Sequence, residues 1–165
     1  WADAQAEKAK RAQAKKARAA AKVERASIRA RKEAIKTIAQ LIADAQIVFN
    51  AFIRERDKGK GCFVCRRPFT DKPGQVQHAG HVRSRGAAGH LRFNEDNCMG
   101  ECEGCNGPHG AKPHQIEAGA IARIGAERYA ELCADNTPHK WQRDELIAIK
   151  HEYRAKLKEL KGRTC

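Results

Sequence analysis

Four cysteines stand in two Cys-x-x-Cys pairs, Cys62 with Cys65 and Cys102 with Cys105. Four thiolates in this arrangement suit tetrahedral zinc, with bonds of about 2.3 Å. The long segment between the pairs must loop out and can carry its own structure. A redox dithiol is the alternative, but no βαβ pattern of the thioredoxin type surrounds either pair. We therefore predict a structural zinc site, with the remaining cysteines as bystanders: Cys98, Cys133 and Cys165.

Polar residues between and just after these pairs have the types needed for phosphodiester hydrolysis. His78 and His81 lie three apart on a predicted strand, and Asn97, Asn106 and His109 follow. The reaction needs a base that activates water and a divalent cation that neutralises charge on the phosphate and the leaving oxygen. A neutral imidazole supplies such a base near physiological pH. A second imidazole and an amide oxygen can hold Mn²⁺, or a magnesium ion that keeps most of its waters.

The order of these residues resembles that of the HNH, or ββα-metal, endonucleases. Those proteins have a histidine on a first strand, an asparagine on the loop before the second strand, and a histidine or asparagine on the following helix. His81, Asn97 and Asn106 take these three places, and Asn106 comes directly after the second cysteine pair. Many such proteins also carry two Cys-x-x-Cys pairs around this unit. The resemblance implies the H-N-N variant of the motif.

A closer resemblance is to one phage family, the lambda NinG (Rap) recombination endonucleases. It covers residues 45 to 133 and is carried by "FNAFIRERDKGKGCFVC", "AGHVRSRGAAGHLRFNEDN", "CEGCN" and "IARIGAERYAEL". The resemblance implies a structure-specific DNA endonuclease that cuts branched recombination intermediates, including Holliday junctions and D-loops. It also implies a phage-encoded protein that acts inside a bacterial host cell.

The resemblance also implies roles for single residues. His81 matches the general base, and Asn97 matches the asparagine that braces the loop and orients that base. His78 stands where such proteins commonly have an aspartate that binds the catalytic cation, and Asn106, or His109 one turn on, would supply the other ligand. Because imidazole binds Mg²⁺ poorly and favours softer metals, the cation could be Mg²⁺, Mn²⁺ or another transition metal.

The chain is strongly basic, with 33 Lys and Arg against 20 Asp and Glu and a net charge of +13. Such an excess indicates attraction to a polyanion, most often nucleic acid. Arg83 and Arg85 could be ordinary solvated residues. We nevertheless expect phosphate contacts from five arginines of the zinc unit: Arg66, Arg67, Arg83, Arg85 and Arg92.

An acidic membrane surface is the main alternative partner for a basic chain. However, no apolar run approaches the roughly 20 residues that span a bilayer, and no signal-peptide pattern is visible. Together with the Cys-x-x-Cys pairs, this predicts a cytoplasmic protein.

The elements that must position these residues fall into three predicted parts. Residues 1–55 form a basic helical arm followed by an amphipathic helix whose apolar stripe starts at Ile35. The arm is either a solvated face or a helix that lies on DNA or on a second subunit. Residues 56–112 form the zinc-bound HNH unit, with "QVQHAGHV" as a strand and "LRFNEDN" as a second extended piece and turn. Residues 113–165 form C-terminal helices, one broken by Gly125 and the last begun by Thr137-Pro138.

These parts predict an α+β protein, mainly α-helical, in which a small zinc-stapled ββα-metal unit is flanked by a long N-terminal helix and C-terminal helices. The zinc compensates for a core too small to fold unaided. The approximate two-fold symmetry of a four-way junction suggests a homodimer. Its interface could be the N-terminal helices or the Leu146–Leu160 stripe, both equally well explained as intramolecular core. The alternative function, based on charge and thiolates alone, is a non-catalytic zinc-stabilised DNA-binding module.

Overall fold

The computed structural model describes residues 2–162, with side chains from residue 4 onward, so Cys165 lies outside the described residues. The chain is mainly helical and has one two-stranded antiparallel sheet, as predicted. Its elements are α1 Ala2–Ala34, α2 Ile38–Arg56, β1 Gln77–His81, a 3₁₀ helix Gly89–Leu91, β2 Cys98–Cys102, α3 Glu103–Asn106, α4 Pro113–Ile124, α5 Ala126–Ala134 and α6 Arg143–Gly162. Two compact units emerge, residues 1–37 and residues 38–165. The predicted three-part division at residues 55 and 112 stays a prediction.

The first unit is the basic helix α1. Alanine and long straight side chains lose little freedom in a helix, which explains why this polar stretch is helical. Its apolar residues are too few to form a buried face, and Val23 and Ile28 are 70% and 44% exposed. Glu7 and Arg11 form an ion pair one turn apart. The helix therefore depends on local propensity and not on packing of an apolar side.

The core of the second unit lies between α2 and α6. The apolar stripe of α2 meets that of α6 through Leu41, Phe49, Phe52, Leu146 and Tyr153. The rings of Phe49 and Tyr153 meet edge to face, with centroids 4.8 Å apart. The apolar stripe is predicted to start at Ile35, but Ile35 is 80% exposed and lies in a turn. Helix α2 starts at Ile38. The Leu146–Leu160 stripe packs inside this core.

The buried carboxylate of Asp57 fastens the end of α2 to the sheet. Asp57 is 1% exposed, and its Oδ2 atom accepts a hydrogen bond of 2.8 Å from the Gly100 amide in β2. Arg56 donates to both carboxylate oxygens, at 2.9 and 2.8 Å. The same guanidinium donates to the carbonyl of Cys98 at 2.9 Å. These bonds fix β2 against the helix that covers it.

Strand β1 pairs with β2 so that His81 faces Cys98, Ala79 faces Gly100 and Gln77 faces Cys102. Helix α2 covers the face that carries Ala79 and Cys98, whereas Met99 packs with Phe63 and Ala120 from α4. The predicted first strand is confirmed within "QVQHAGHV".

The expected extended piece at "LRFNEDN" is wrong. The chain forms the 3₁₀ helix Gly89–Leu91 and then a turn before β2 begins at Cys98. The side chain of Asn94 accepts hydrogen bonds from the amides of Asp96 and Asn97, at 2.8 and 3.1 Å. An asparagine that bonds to its own following backbone favours a turn over a strand. The second strand therefore lies in "CMGEC", directly before α3.

The C-terminal helices follow the prediction in part. Gly125 separates α4 from α5 with a φ of 87°, as expected. Helix α6 begins at Arg143 and not at Thr137-Pro138, because Glu145 caps it by accepting a hydrogen bond from the Gln142 amide at 3.3 Å. In the described chain, no helix combines the length and apolar character that crossing a bilayer requires.

Candidate functional site

The four predicted zinc ligands lie together. The sulfur atoms of Cys62, Cys65, Cys102 and Cys105 are all within 4.8 Å of one another. The Sγ atoms of Cys65 and Cys102 are 3.7 Å apart. Zinc–sulfur bonds of about 2.3 Å directed at tetrahedral corners place sulfurs roughly 3.8 Å apart. The residues therefore fit a structural zinc ion, and no other group of three or more His, Cys, Asp and Glu in the described chain could hold a metal.

A tight turn presents the first cysteine pair. The amide of Arg66 donates to the carbonyl of Cys62 at 3.0 Å, and Arg66 has a φ of 65°. Gly61 also has a positive φ, and a Cβ atom there would come within 2.9 Å of the Arg66 carbonyl oxygen. Although burial acts to raise the pKa of Cys65, hydrogen bonds from Arg67 outweigh it and lower that pKa to about 6. Arg67 thus favours the thiolate, the form that binds zinc.

A separate cavity of about 370 Å³ brings three other predicted residues together, namely His78 and His81 from β1 and Asn106 from α3. We call it the His81 cavity. Its remaining lining residues come from α2, β1 and the following loop: Asn50, Arg54, Ala79, Ser84 and Arg85. The lining contains two arginines and no carboxylate, so the cavity suits an anion such as a phosphate.

His81 is held with one ring nitrogen against the backbone. Its Nε2 atom lies 3.0 Å from the carbonyl oxygen of Arg92. A carbonyl only accepts, so this contact places the proton on Nε2 and leaves Nδ1 as an acceptor, 3.9 Å from the sulfur of Cys98. Burial, together with the positive charges of Arg85 and Arg92, lowers the pKa of His81. The ring is therefore neutral at pH 7 and able to accept a proton.

Asn97 is fully buried beneath the loop that follows β1. Its Oδ1 atom accepts from the Arg83 amide at 2.8 Å. Its Nδ2 atom donates to the carbonyls of Arg83 and Leu91, both at 3.1 Å. The side chain therefore joins the two ends of the loop that carries Ser84 and Arg85 into the His81 cavity. Its role in orienting the base stays a prediction.

Other predicted residues lie elsewhere. His109 lines a second cavity with Arg66 and Arg67 and is not brought together with His81. The guanidinium of Arg83 donates to the carbonyls of Leu132 and Asp135 and to the side chain of Asn136.

The five predicted DNA-binding arginines lie in different surroundings. Arg92 donates to Gln46 at 3.3 Å, and its Nε atom is buried without a partner. Of the five, Arg85 lines the His81 cavity. Contact between any of them and DNA stays a prediction.

The sequence interpretation missed two residues of α2 that line the His81 cavity, Asn50 and Arg54. They stand one helical turn apart on the polar side of an amphipathic helix, which is the signal that could have indicated them. The backbone carbonyl of Arg54 accepts from Gln77 at 2.9 Å, which ties this turn of the helix to β1. Cys98, considered a bystander, lies outside the four-cysteine group, 3.9 Å from Nδ1 of His81.

Fold and site together define a small, mainly helical protein with a two-stranded antiparallel sheet and a four-cysteine site suited to zinc. A family model described as Bacteriophage Lambda NinG protein matches residues 2–163. The chain therefore belongs to the NinG family, which confirms the NinG resemblance predicted from the sequence. The endonuclease activity that the resemblance implies stays a prediction.

The curated relatives that carry the name Protein ninG include those of three phages. That of Escherichia phage lambda is 38% identical over 137 residues, which are 82% of this chain and 64% of the relative. That of Salmonella phage P22 is 37% identical, over 81% of this chain and 64% of the relative. That of Escherichia phage 933W is 36% identical, over 82% and 65%. The chain thus spans just under two thirds of the length of these relatives, and no solved structure matches it.

Proposed function

We propose that this protein is a metal-dependent endonuclease of the HNH type that cuts branched recombination intermediates, such as Holliday junctions and D-loops. The observation that carries the proposal is the His81 cavity, in which His78, His81 and Asn106 meet. Membership of a phage family supports an action inside a bacterial host cell, in the cytoplasm.

In this proposal His81 is the general base. The Arg92 carbonyl holds Nε2 at 3.0 Å and orients the ring, and burial keeps the ring neutral. The Nδ1 atom then takes the proton from a water molecule that attacks phosphorus, while the bond from phosphorus to the leaving oxygen breaks. A base whose pKa lies near or below the working pH is in its reactive form for most of the time.

The scissile phosphate lies between the guanidinium groups of Arg54 and Arg85. Both residues are exposed at the same cavity, one on α2 and the other on the loop fixed by Asn97. Guanidinium groups pair with phosphate oxygens through two parallel hydrogen bonds. Since no carboxylate lines the cavity, nothing in its lining repels the phosphate.

His78 and Asn106 are the residues that would hold a catalytic cation. Such a cation neutralises charge on the phosphate and on the leaving oxygen. One imidazole and one amide would supply two of the ligands of such a cation, and water and phosphate would have to supply the rest. Imidazole favours Mn²⁺ and softer metals over Mg²⁺.

The test is cleavage of an end-labelled four-way junction and of a linear duplex of the same length, with Mg²⁺, Mn²⁺, Co²⁺ and Ni²⁺ in turn. We expect incision of the junction in preference to the duplex. DNA affinity should fall steeply with salt, with a logarithmic slope of about −0.9 for each phosphate contact.

The alternative is a non-catalytic zinc-stabilised module that binds DNA. It is favoured because, in the described part of the chain, the cysteine cluster is the one group of three or more His, Cys, Asp and Glu residues that could hold a metal. Tight binding of the junction without incision in any of the four cations would establish this alternative and refute the nuclease.

Paired incisions of a junction would need two active sites and hence two copies of the chain. Because the α6 stripe is occupied by α2, α1 is the better candidate for an interface. Sedimentation of the protein alone and on junction DNA tests the homodimer, and a single copy in both states excludes it.

A further inference from the structure

The second cavity, of about 500 Å³, lies beside the four-cysteine cluster, and we call it the zinc-side cavity. Two of the cysteines, Cys65 and Cys105, are part of its wall. Apart from these cysteines, its polar side chains are basic or neutral, and no carboxylate lines it: Arg66, Arg67, His109, His114 and Gln115. Two other cavities of the same unit do have acidic linings, with Glu131 in one and Glu145 in the other. The zinc-side cavity and the His81 cavity are therefore alike in containing two arginines and no carboxylate, and they differ in this from the other two cavities.

The short helix α3 contributes to both of the basic cavities. Cys105 lines the zinc-side cavity, and the next residue, Asn106, lines the His81 cavity. The His81 cavity is completed by α2, which covers one face of the sheet. The zinc-side cavity is completed by α4, which packs on the other face. The two cavities share no lining residue, so they are two separate sites.

The zinc-side cavity has a rigid wall. A Cβ atom on Gly110 would lie 2.0 Å from the carbonyl oxygen of Cys105, and one on Gly119 would lie 2.5 Å from that of Phe63. Such close backbone contacts require glycine at both positions. The backbone that carries Arg66 and Arg67 is also fixed, because the Cys62 amide donates to the Arg67 carbonyl at 2.9 Å. The turn of the first cysteine pair thus positions both arginines in the lining of the cavity.

We propose that the zinc-side cavity binds a backbone phosphate of a second DNA arm while the His81 cavity holds the arm that is cut. This rests on the proposed nuclease function and adds to it a source of the preference for branched over linear DNA. A four-way junction presents two arms at an angle, and two separate anion sites on one small unit fit such a substrate. Phosphate contacts fix position without reading sequence, as recognition of a branch requires.

The experiment compares the affinity of the protein for a four-way junction and for a linear duplex, with His81→Ala present throughout to prevent cleavage. Arg66→Asn is the test variant, since asparagine tolerates the positive φ of this position. The ratio of junction affinity to duplex affinity should fall about tenfold, as for loss of one charged hydrogen bond. Arg66→Lys keeps the charge and should retain most of the ratio. Arg128→Gln removes an equal charge from a residue that lines neither basic cavity, and it should leave the ratio unchanged.

Two results would overturn the inference. A loss of equal size for junction and duplex would mean that Arg66 contacts the same arm as the His81 cavity. An unchanged ratio would mean that Arg66 and its neighbour only balance the charge of the metal cluster. Zinc content, measured for every variant, separates either result from misfolding, and His114→Gln provides a second variant outside the cysteine turn. Because the affinity ratio needs no cleavage, failure of the wild-type protein to cut DNA contradicts the proposed nuclease and not this binding mode.

Discussion

The Nε2 atom of His81 and the carbonyl oxygen of Arg92 lie 3.0 Å apart, and this contact decides which ring nitrogen carries the proton. The contact joins β1 to Arg92, the residue directly after the 3₁₀ helix, and Asn97 donates to the carbonyl of Leu91, the last residue of that helix. A backbone group eleven residues away in the chain thus places the ring proton of His81 on Nε2.

Substitution of His81 by alanine should reduce cleavage of a four-way junction by at least about 100-fold, the usual contribution of a general base. Junction affinity and zinc content should stay near those of the wild type, because His81 is not part of the cysteine cluster. Single-turnover cleavage assays measure the rate, and metal analysis provides the control. Wild-type cleavage by this variant would show that His81 is not the base.

The pH dependence of cleavage should follow the pKa of His81. That pKa lies below its ordinary value of 6.5, so the rate should rise with pH and level off before neutrality. Arg85 is one cause of the lowered pKa, and Arg85→Gln should therefore move the rising limb to higher pH. Arg128→Gln is the matched control and should leave it in place. An unchanged midpoint in the Arg85 variant contradicts the assignment of this limb to His81.

Substitution of Asn97 by alanine should destabilise the protein by about 2–4 kcal/mol, because it removes the Asn97 partner of the Arg83 amide and carbonyl and one of two hydrogen bonds to the Leu91 carbonyl. Urea unfolding with zinc present measures the change. Asn136→Ala removes an exposed amide and should cost much less. If the two variants unfold at the same urea concentration, Asn97 does not brace the loop.

Removal of zinc should lower the midpoint of thermal unfolding strongly, because zinc binding to four thiolates contributes about 10 kcal/mol or more to folding in small metal domains. Cys102→Ser should act in the same way as a chelator and reduce the bound zinc. Cys133 is exposed and lies outside the cluster, so Cys133→Ser should change neither quantity. A zinc-free protein with unchanged unfolding would contradict a structural role for the metal.

Substitution of Asp57 by asparagine should destabilise the protein by about 1–3 kcal/mol at pH 7, since it removes the nearer of two carboxylates that pair with Arg56 and leaves Glu95, at 3.7 Å. Burial acts to raise the pKa of Asp57, but the hydrogen bonds and charge of Arg56 outweigh it and lower the pKa below 3.8. The stabilisation is therefore complete above pH 4 and is lost as the pH falls through the lowered pKa. Urea unfolding at pH 7 and at pH 3 should show that wild type and variant differ less at the lower pH.

The sequence determined the local features of this protein. Spacing alone predicted the four-cysteine cluster and the amphipathic helix α2, because ligand type and apolar periodicity are properties of neighbouring residues. It also predicted the first strand and the helix break at Gly125, and its motifs indicated the family. It misplaced the second strand and the start of α6, where the side chains of Asn94 and Glu145 decide the backbone.

The tertiary structure decided which of the candidate residues meet. It placed Asn106 with His78 and His81 in one cavity, and it placed His109 with Arg66 in another. It committed the guanidinium of Arg83 to the end of α5, and it brought Arg54 from a distant helix into the His81 cavity. Sequence spacing could not reveal these outcomes, because each depends on how α2 and α4 pack on opposite faces of a sheet. Packing of this kind brings together residues that are remote in the chain.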